Sequence, residues 1–146
     1  MTAEVAVAAP AERAFAVVAD PDLRRRLLPD NFTGFRGLSE TRAGPGTRTA
    51  FRITTSQGDH ETQIEITAWD PPHGLTEQAL GESPYSVHWR FTPAGAGAHV
   101  SATMDYEVAG SFLHRIVERW FARRALQQSL LVELLRLRDL LAEGAG

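Results

Sequence analysis

The sequence contains no cysteine and no lysine. The first absence excludes disulfides, a thiolate nucleophile and cysteine metal sites. The second excludes a lysine Schiff base or a catalytic lysine amine. All fifteen basic residues are arginine, a bias that fits a GC-rich genome. Charge of one sign is scarce as well. The formal net charge is -3, and apart from Arg24, Arg25, Arg26, Arg123 and Arg124 the arginines are dispersed, so no broad electropositive face for nucleic acid is written in the chain. Long apolar runs are missing too, and no segment is predicted to span a bilayer. Near the start, Glu4 stands where a signal peptide carries positive charge, and Pro10 interrupts any apolar stretch. These absences point to a cytoplasmic protein without a nucleic-acid partner.

What is present is ordinary globular material. A chain of 146 residues that is 43% hydrophobic is long enough and apolar enough to bury one continuous core, which predicts a single domain over 1–146. Val5 and Val7 alternate with Glu4 and Ala6 as in a short first strand. Pro10 stands where helices begin, and Ala14, Phe15 and Val18 follow at helical spacing. Asp20 and Pro21 form a cap and first-turn proline for a second short helix, with Leu23, Leu27 and Leu28 on one edge, ending before Pro29.

Beyond residue 32 the period changes to two. Turn chemistry at Gly44, Pro45 and Gly46, at Gly58 and Asp59, at Asp70, Pro71 and Pro72, at Gly81 and Pro84, and at Gly95 and Gly97 separates strands expected near 32–40, 47–56, 60–69, 75–80, 85–92 and 99–108. With the first strand this makes a seven-stranded sheet, and the short connections predict antiparallel pairing throughout. Alternation places Phe51 and Ile53, Ile64, Ile66 and Ala68, and Val87, Trp89 and Phe91 on a dry face. It places Arg52, Glu61, Glu65, His88 and Arg90 on a wet one.

Residues 111–143 contain neither glycine nor proline, and Leu113, Ile116, Trp120, Leu131, Leu134 and Leu141 fall on one stripe. This predicts one terminal helix of about 33 residues, roughly 50 Å long, lying across the sheet with its last turn free. At 100° per residue, Arg123 and Gln127 interrupt that stripe.

The order strand, two short helices, six strands and long helix resembles the SRPBCC superfamily, also called START-like or helix-grip, and in particular its small bacterial polyketide cyclase/dehydrase-like members. The residues carrying the resemblance are Val7, Pro10, Glu12 and Phe15 with Asp20, Leu28 and Pro29, then Gly44, Pro45 and Gly46. Trp69, Asp70, Pro71, Pro72, His73, Gly74 and Leu75, and His88, Trp89, Arg90, Phe91, Thr92 and Pro93, complete the set. The likeness implies an α+β helix-grip fold, a curved antiparallel sheet wrapped around the long helix with a cavity between them for a hydrophobic small molecule. Members of the superfamily carry lipids and other hydrophobic ligands or cyclise and dehydrate bound chains. Aromatase members place Arg and Tyr in the cavity, where this chain has Ala68 and Phe32.

On that template Phe32, Phe51, Ile53, Ile64, Ile66, Val87, Trp89, Phe91, Met104 and Trp120 are expected to wall the cavity, with Thr62 and Gln127 as polar lining. Glu77 alternates with Leu75 and Ala79; inward it is a carboxyl raised by burial and fit for acid or base work, whereas a register shift of one turns it to water. Tyr85 and Tyr106 can donate to a ligand oxygen or simply fill the core. Arg123 can hold a carboxylate or enolate oxygen, or snorkel to solvent beside Arg124. The five histidines show no metal-ligand spacing, and no metal or cofactor is expected. Two functions follow: a cofactor-free polyketide cyclase/dehydrase-like acid–base enzyme of natural-product metabolism with Glu77, Tyr85, Tyr106 and Arg123 as its chemistry, or a non-catalytic carrier or sensor. Either suits a monomer or a homodimer.

Overall fold

The computed structural model describes residues 2–39, 44–55, 58–80, 85–106 and 113–143; within them the side chains of Thr55, His60, Tyr106 and residues 113–126 are outside the description. The elements are β1 (Thr2–Val7), α1 (Ala11–Ala19), α2 (Pro21–Arg24) running into a 3-10 turn (Arg25–Leu27), β2 (Phe32–Gly37), β3 (Arg48–Thr55), β4 (Gly58–Asp70), β5 (Gly74–Leu80), β6 (Tyr85–Ala94), β7 (Gly97–Tyr106) and α3 (Leu113–Glu143). The strands form one sheet in the order β1-β7-β6-β5-β4-β3-β2, every pair antiparallel. Strand β2 stops at Gly37, short of the expected residue 40, and β4 is longer than predicted at 13 residues.

Local chemistry sets the first helices. The Asp20 side chain accepts from the Asp22 N–H at 2.9 Å, and Pro21 occupies the first turn, where its missing N–H costs nothing. Ala14, Phe15 and Val18 of α1 are buried and meet the aromatic end of the sheet: Phe15 lies edge-on to Trp69 (5.0 Å, 70°) and to Phe91 (5.4 Å, 74°). Where β1 meets the β6–β7 hairpin, Gly97 is a steric necessity. A Cβ there would stand 2.3 Å from the Val7 carbonyl oxygen.

Two expectations are corrected. Strict alternation put Ala68 inward, but the β4–β5 register slips between Ile66 and Ala68, pairing Ile66 with Glu77 and Ala68 with Thr76. One extra residue reverses every side chain beyond it. Ala68 is therefore exposed, and Trp69, opposite Leu75, packs against the core.

The second correction concerns α3. Its buried stripe is Leu130, Leu134, Leu137 and Leu141, the 4-3-4 spacing of a core-facing helix. Leu131, expected on that stripe, stands about 100° away from Leu130 and is 47% exposed. The last turn is not free, because Leu141 is 1% exposed and α3 packs on β1 and the 3-10 turn. Arg136 donates to the Leu28 carbonyl and pairs with Asp30 at 3.1 Å, tying the helix to the loop before β2. Among the described residues no helix is long and apolar enough to cross a membrane.

If the final turn is anchored as described, Leu141→Ala lowers the unfolding free energy by about 2–4 kcal/mol. Urea denaturation checks this; a free turn would leave the midpoint where it is.

Candidate functional site

Three elements bring one charged group each to the same buried point. In α2 and the turn after it, Arg24 lies three and four residues before Leu27 and Leu28, so all three share a face while Arg25 and Arg26 point to water. Along β5, Leu75, Glu77 and Ala79 alternate inward. On α3, Glu133 lies between Leu130 and Leu137 on the buried side. Arg24, Glu77 and Glu133 are each less than a tenth exposed.

The guanidinium of Arg24 binds both carboxylates. Nη1 and Nη2 hold Glu77 in a fork, the second contact at 3.1 Å, while Nε and Nη2 reach Glu133 Oε1 at 3.3 and 3.2 Å. The flat face of the cation stacks on Trp89, 4.8 Å from the ring centroid, a favourable placement for a desolvated guanidinium. Trp89 Nε1 is the single buried side-chain nitrogen or oxygen without a hydrogen-bond partner among the described residues.

One cation cannot neutralise two buried carboxylates. Burial pushes the Glu133 carboxyl up to about 7, Arg24 opposing and Glu77 reinforcing the rise. Burial works against the Arg24 cation, but Glu133 and Glu77 outweigh it and hold its pKa above the ordinary arginine value. The buried pair is thus short of one positive charge, and burial with the neighbouring Glu77 favours the protonated form of Glu133.

Two small, open-mouthed lobes adjoin the cluster between sheet and helices, each with a free volume of about 30 Å3. Both lobes share Arg24, Glu77, Leu28, Phe51 and Ile64. The first extends along Val18, Pro21, Phe35, Thr47, Thr49 and Ile66; the second runs along Phe32, Tyr85, Val87, Met104, Ser129, Leu130 and Glu133. Phe51 stacks with Phe32 (5.2 Å, 14°) and with Phe35 (6.3 Å, 15°), so the lining there is aromatic.

Of the residues singled out in the sequence, Glu77, Phe51 and Ile64 touch both lobes; Phe32, Tyr85, Val87 and Met104 touch the second, and Ile66 the first. Trp89 and Phe91, expected in the cavity wall, are not among its lining. They stack on each other within the core (6.4 Å, 10°), and only the Arg24 contact links Trp89 to the cluster. Ile53, Thr62 and Gln127 are half-buried and line neither lobe. Tyr106, Arg123 and Trp120 lie outside the described side chains. Sequence reasoning missed Arg24, hidden in a triplet of arginines, and Glu133, the acid in a run of leucines. Glu133 falls off the stripe that exposed Arg123 and Gln127; only the phase set by Leu130 and Leu137, three residues before it and four after, places it inward.

A curved antiparallel sheet packed against a long terminal helix, with a polar cluster inside an apolar cavity, defines a helix-grip domain of the SRPBCC superfamily. The family model described as polyketide cyclase / dehydrase and lipid transport matches residues 1–141, and the chain belongs to that family. No curated protein matches it significantly. Among solved structures it is similar to TTHA0849 from Thermus thermophilus (19% identity, 100% of this chain and 99% of that one, TM-score 0.80). It also resembles the KanY protein (19%, 97% and 95%, TM-score 0.80) and the di-domain ARO/CYC StfQ from the steffimycin biosynthetic pathway (18%, 100% and 52%, TM-score 0.77). At these identities the likeness is one of fold.

The raised carboxyl has a consequence for stability. Between its ordinary value of 4.5 and about 7, Glu133 keeps its proton in the folded chain and has lost it in the unfolded one, so stability falls as pH rises through that window. The fall is on the order of 3 kcal/mol. Chemical denaturation at a series of pH values should show this slope, and Glu133→Gln should flatten it.

Proposed function

We propose that the chain binds a hydrophobic small molecule in the two-lobed space and performs cofactor-free acid–base chemistry on it, of the polyketide cyclase/dehydrase kind. The observation that carries this reading is a carboxyl, Glu133, that titrates near neutrality while lining the cavity, the condition for a group that must both give and take a proton. The family description and the stacked Phe32, Phe51 and Phe35 wall support a flat or conjugated ligand. Glu77, clamped by the Arg24 fork, acts as the fixed counter-charge that holds Arg24 and so sets the position of Glu133. Tyr85, on the second lobe, is placed to contact a ligand oxygen.

In a dehydration, ionised Glu133 removes the proton α to a ligand carbonyl. The resulting enolate expels the β-hydroxyl, which leaves as water with the proton returned by Glu133, and the carboxylate is regenerated. A carrier function is the second reading. It is favoured by the exposure of Ala68, which takes one of the positions that aromatase members fill with a cavity residue out of the cavity.

Nile red, an uncharged apolar probe, tests binding; Ile64→Trp, which fills the wall common to both lobes, should abolish its fluorescence gain while circular dichroism stays unchanged. Turnover is tested with 4-hydroxy-4-(2-naphthyl)butan-2-one, followed by enone absorbance. Glu133→Gln should bind this compound but lose about 100-fold or more in rate. Binding without any turnover in the wild type would leave the carrier.

A further inference from the structure

The hydrogen-bond inventory of the cluster says more about the ligand than its charge alone. Arginine has five N–H donors, and four Arg24 contacts already go to Glu77 and Glu133. Two ionised carboxylates offer roughly eight lone-pair sites, of which these contacts occupy half. What the cluster has to spare is acceptor capacity and one negative charge. The rest of the lining adds no positive charge: its other polar groups are the neutral hydroxyls of Thr47, Thr49, Tyr85 and Ser129, of which Thr47 donates to the Gly44 carbonyl at 2.8 Å.

From this geometry we infer that the pocket selects ligands whose polar end donates hydrogen bonds, a hydroxyl, a phenol or an ammonium, and rejects free carboxylates. A carboxylate head entering beside Glu77 and Glu133 would meet like charge in a medium of low dielectric, with the cation already committed to two partners. The neutral hydroxyls of the lining cannot offset that repulsion as a second cation would. A hydroxyl or ammonium instead completes the unfilled lone pairs of the two glutamates. Simple fatty acids are thereby excluded in spite of the apolar walls, and the specificity resides in Glu77 and Glu133.

The inference rests on the binding reading above, and the test separates the two. With Nile red bound to the wild-type protein at about pH 8, where Glu133 is ionised, displacement is measured with 2-naphthylmethanol, 2-naphthylmethylamine, methyl 2-naphthoate and 2-naphthoate. The alcohol and the amine should displace the probe, the acceptor-only ester should be weaker, and the carboxylate should be weaker than the alcohol by about tenfold or more. In Glu133→Gln the gap between alcohol and carboxylate should narrow. Naphthoate as effective as the alcohol, or an undiminished gap in a folded Glu133→Gln protein, overturns the inference while leaving ligand binding intact. The ester comparison requires no variant, and an ester equal to the alcohol also overturns it. Failure of Nile red itself to bind removes both readings together.

Discussion

A charge removed from water has to find its opposite, and in this chain a single guanidinium answers for two carboxylates drawn from parts of the sequence more than fifty residues apart. Arg24 comes from a one-turn helix, Glu77 from the middle of the sheet and Glu133 from the terminal helix. None of the three would be tolerated at its depth alone. Their mutual dependence fixes how the short helices, the sheet and α3 sit with respect to one another. The same arrangement leaves one proton unsettled, because the positive charge is shared by two acids.

The hollow next to the cluster follows from which side chains are large. At one end of the sheet Phe15, Trp69, Trp89 and Phe91 fill the space between α1 and the strands. At the other end the lining is made by Phe32, Phe35 and Phe51 together with Ile64, Ile66, Val87 and Met104. The chain thus has a solid half and a hollow half, with Arg24 lying between Trp89 of the first and Glu77 of the second.

Most of the fold was legible in the sequence because it rests on local signals. The Asp20 cap, the glycine and proline turns, and the change of period from 3.6 to 2 each act within a few residues. The site was legible only in part. Glu77 could be placed on the inner face by alternation with Leu75 and Ala79, but its partner could not, since nothing local distinguishes Arg24 from Arg25 and Arg26 except a helix phase that a four-residue helix barely establishes. Ala68 was inverted because a bulge leaves no compositional mark at Thr67. Leu131 was misassigned because the apolar run Leu130, Leu131 and Val132, resumed by Leu134 beyond Glu133, admits more than one stripe.

That bulge in β4 has a consequence for how the domain can change. A strand of 13 residues that obeyed one parity from end to end would tie the solid half to the hollow half: any insertion that remodelled the cavity wall would turn Trp69 out of the core. With the slip at Thr67 the two ends keep separate phase. Ile64 and Ile66 thereby face the pocket while Trp69, of opposite parity in the sequence, still packs inward, so one strand lines the cavity with its first part and the aromatic core with its last.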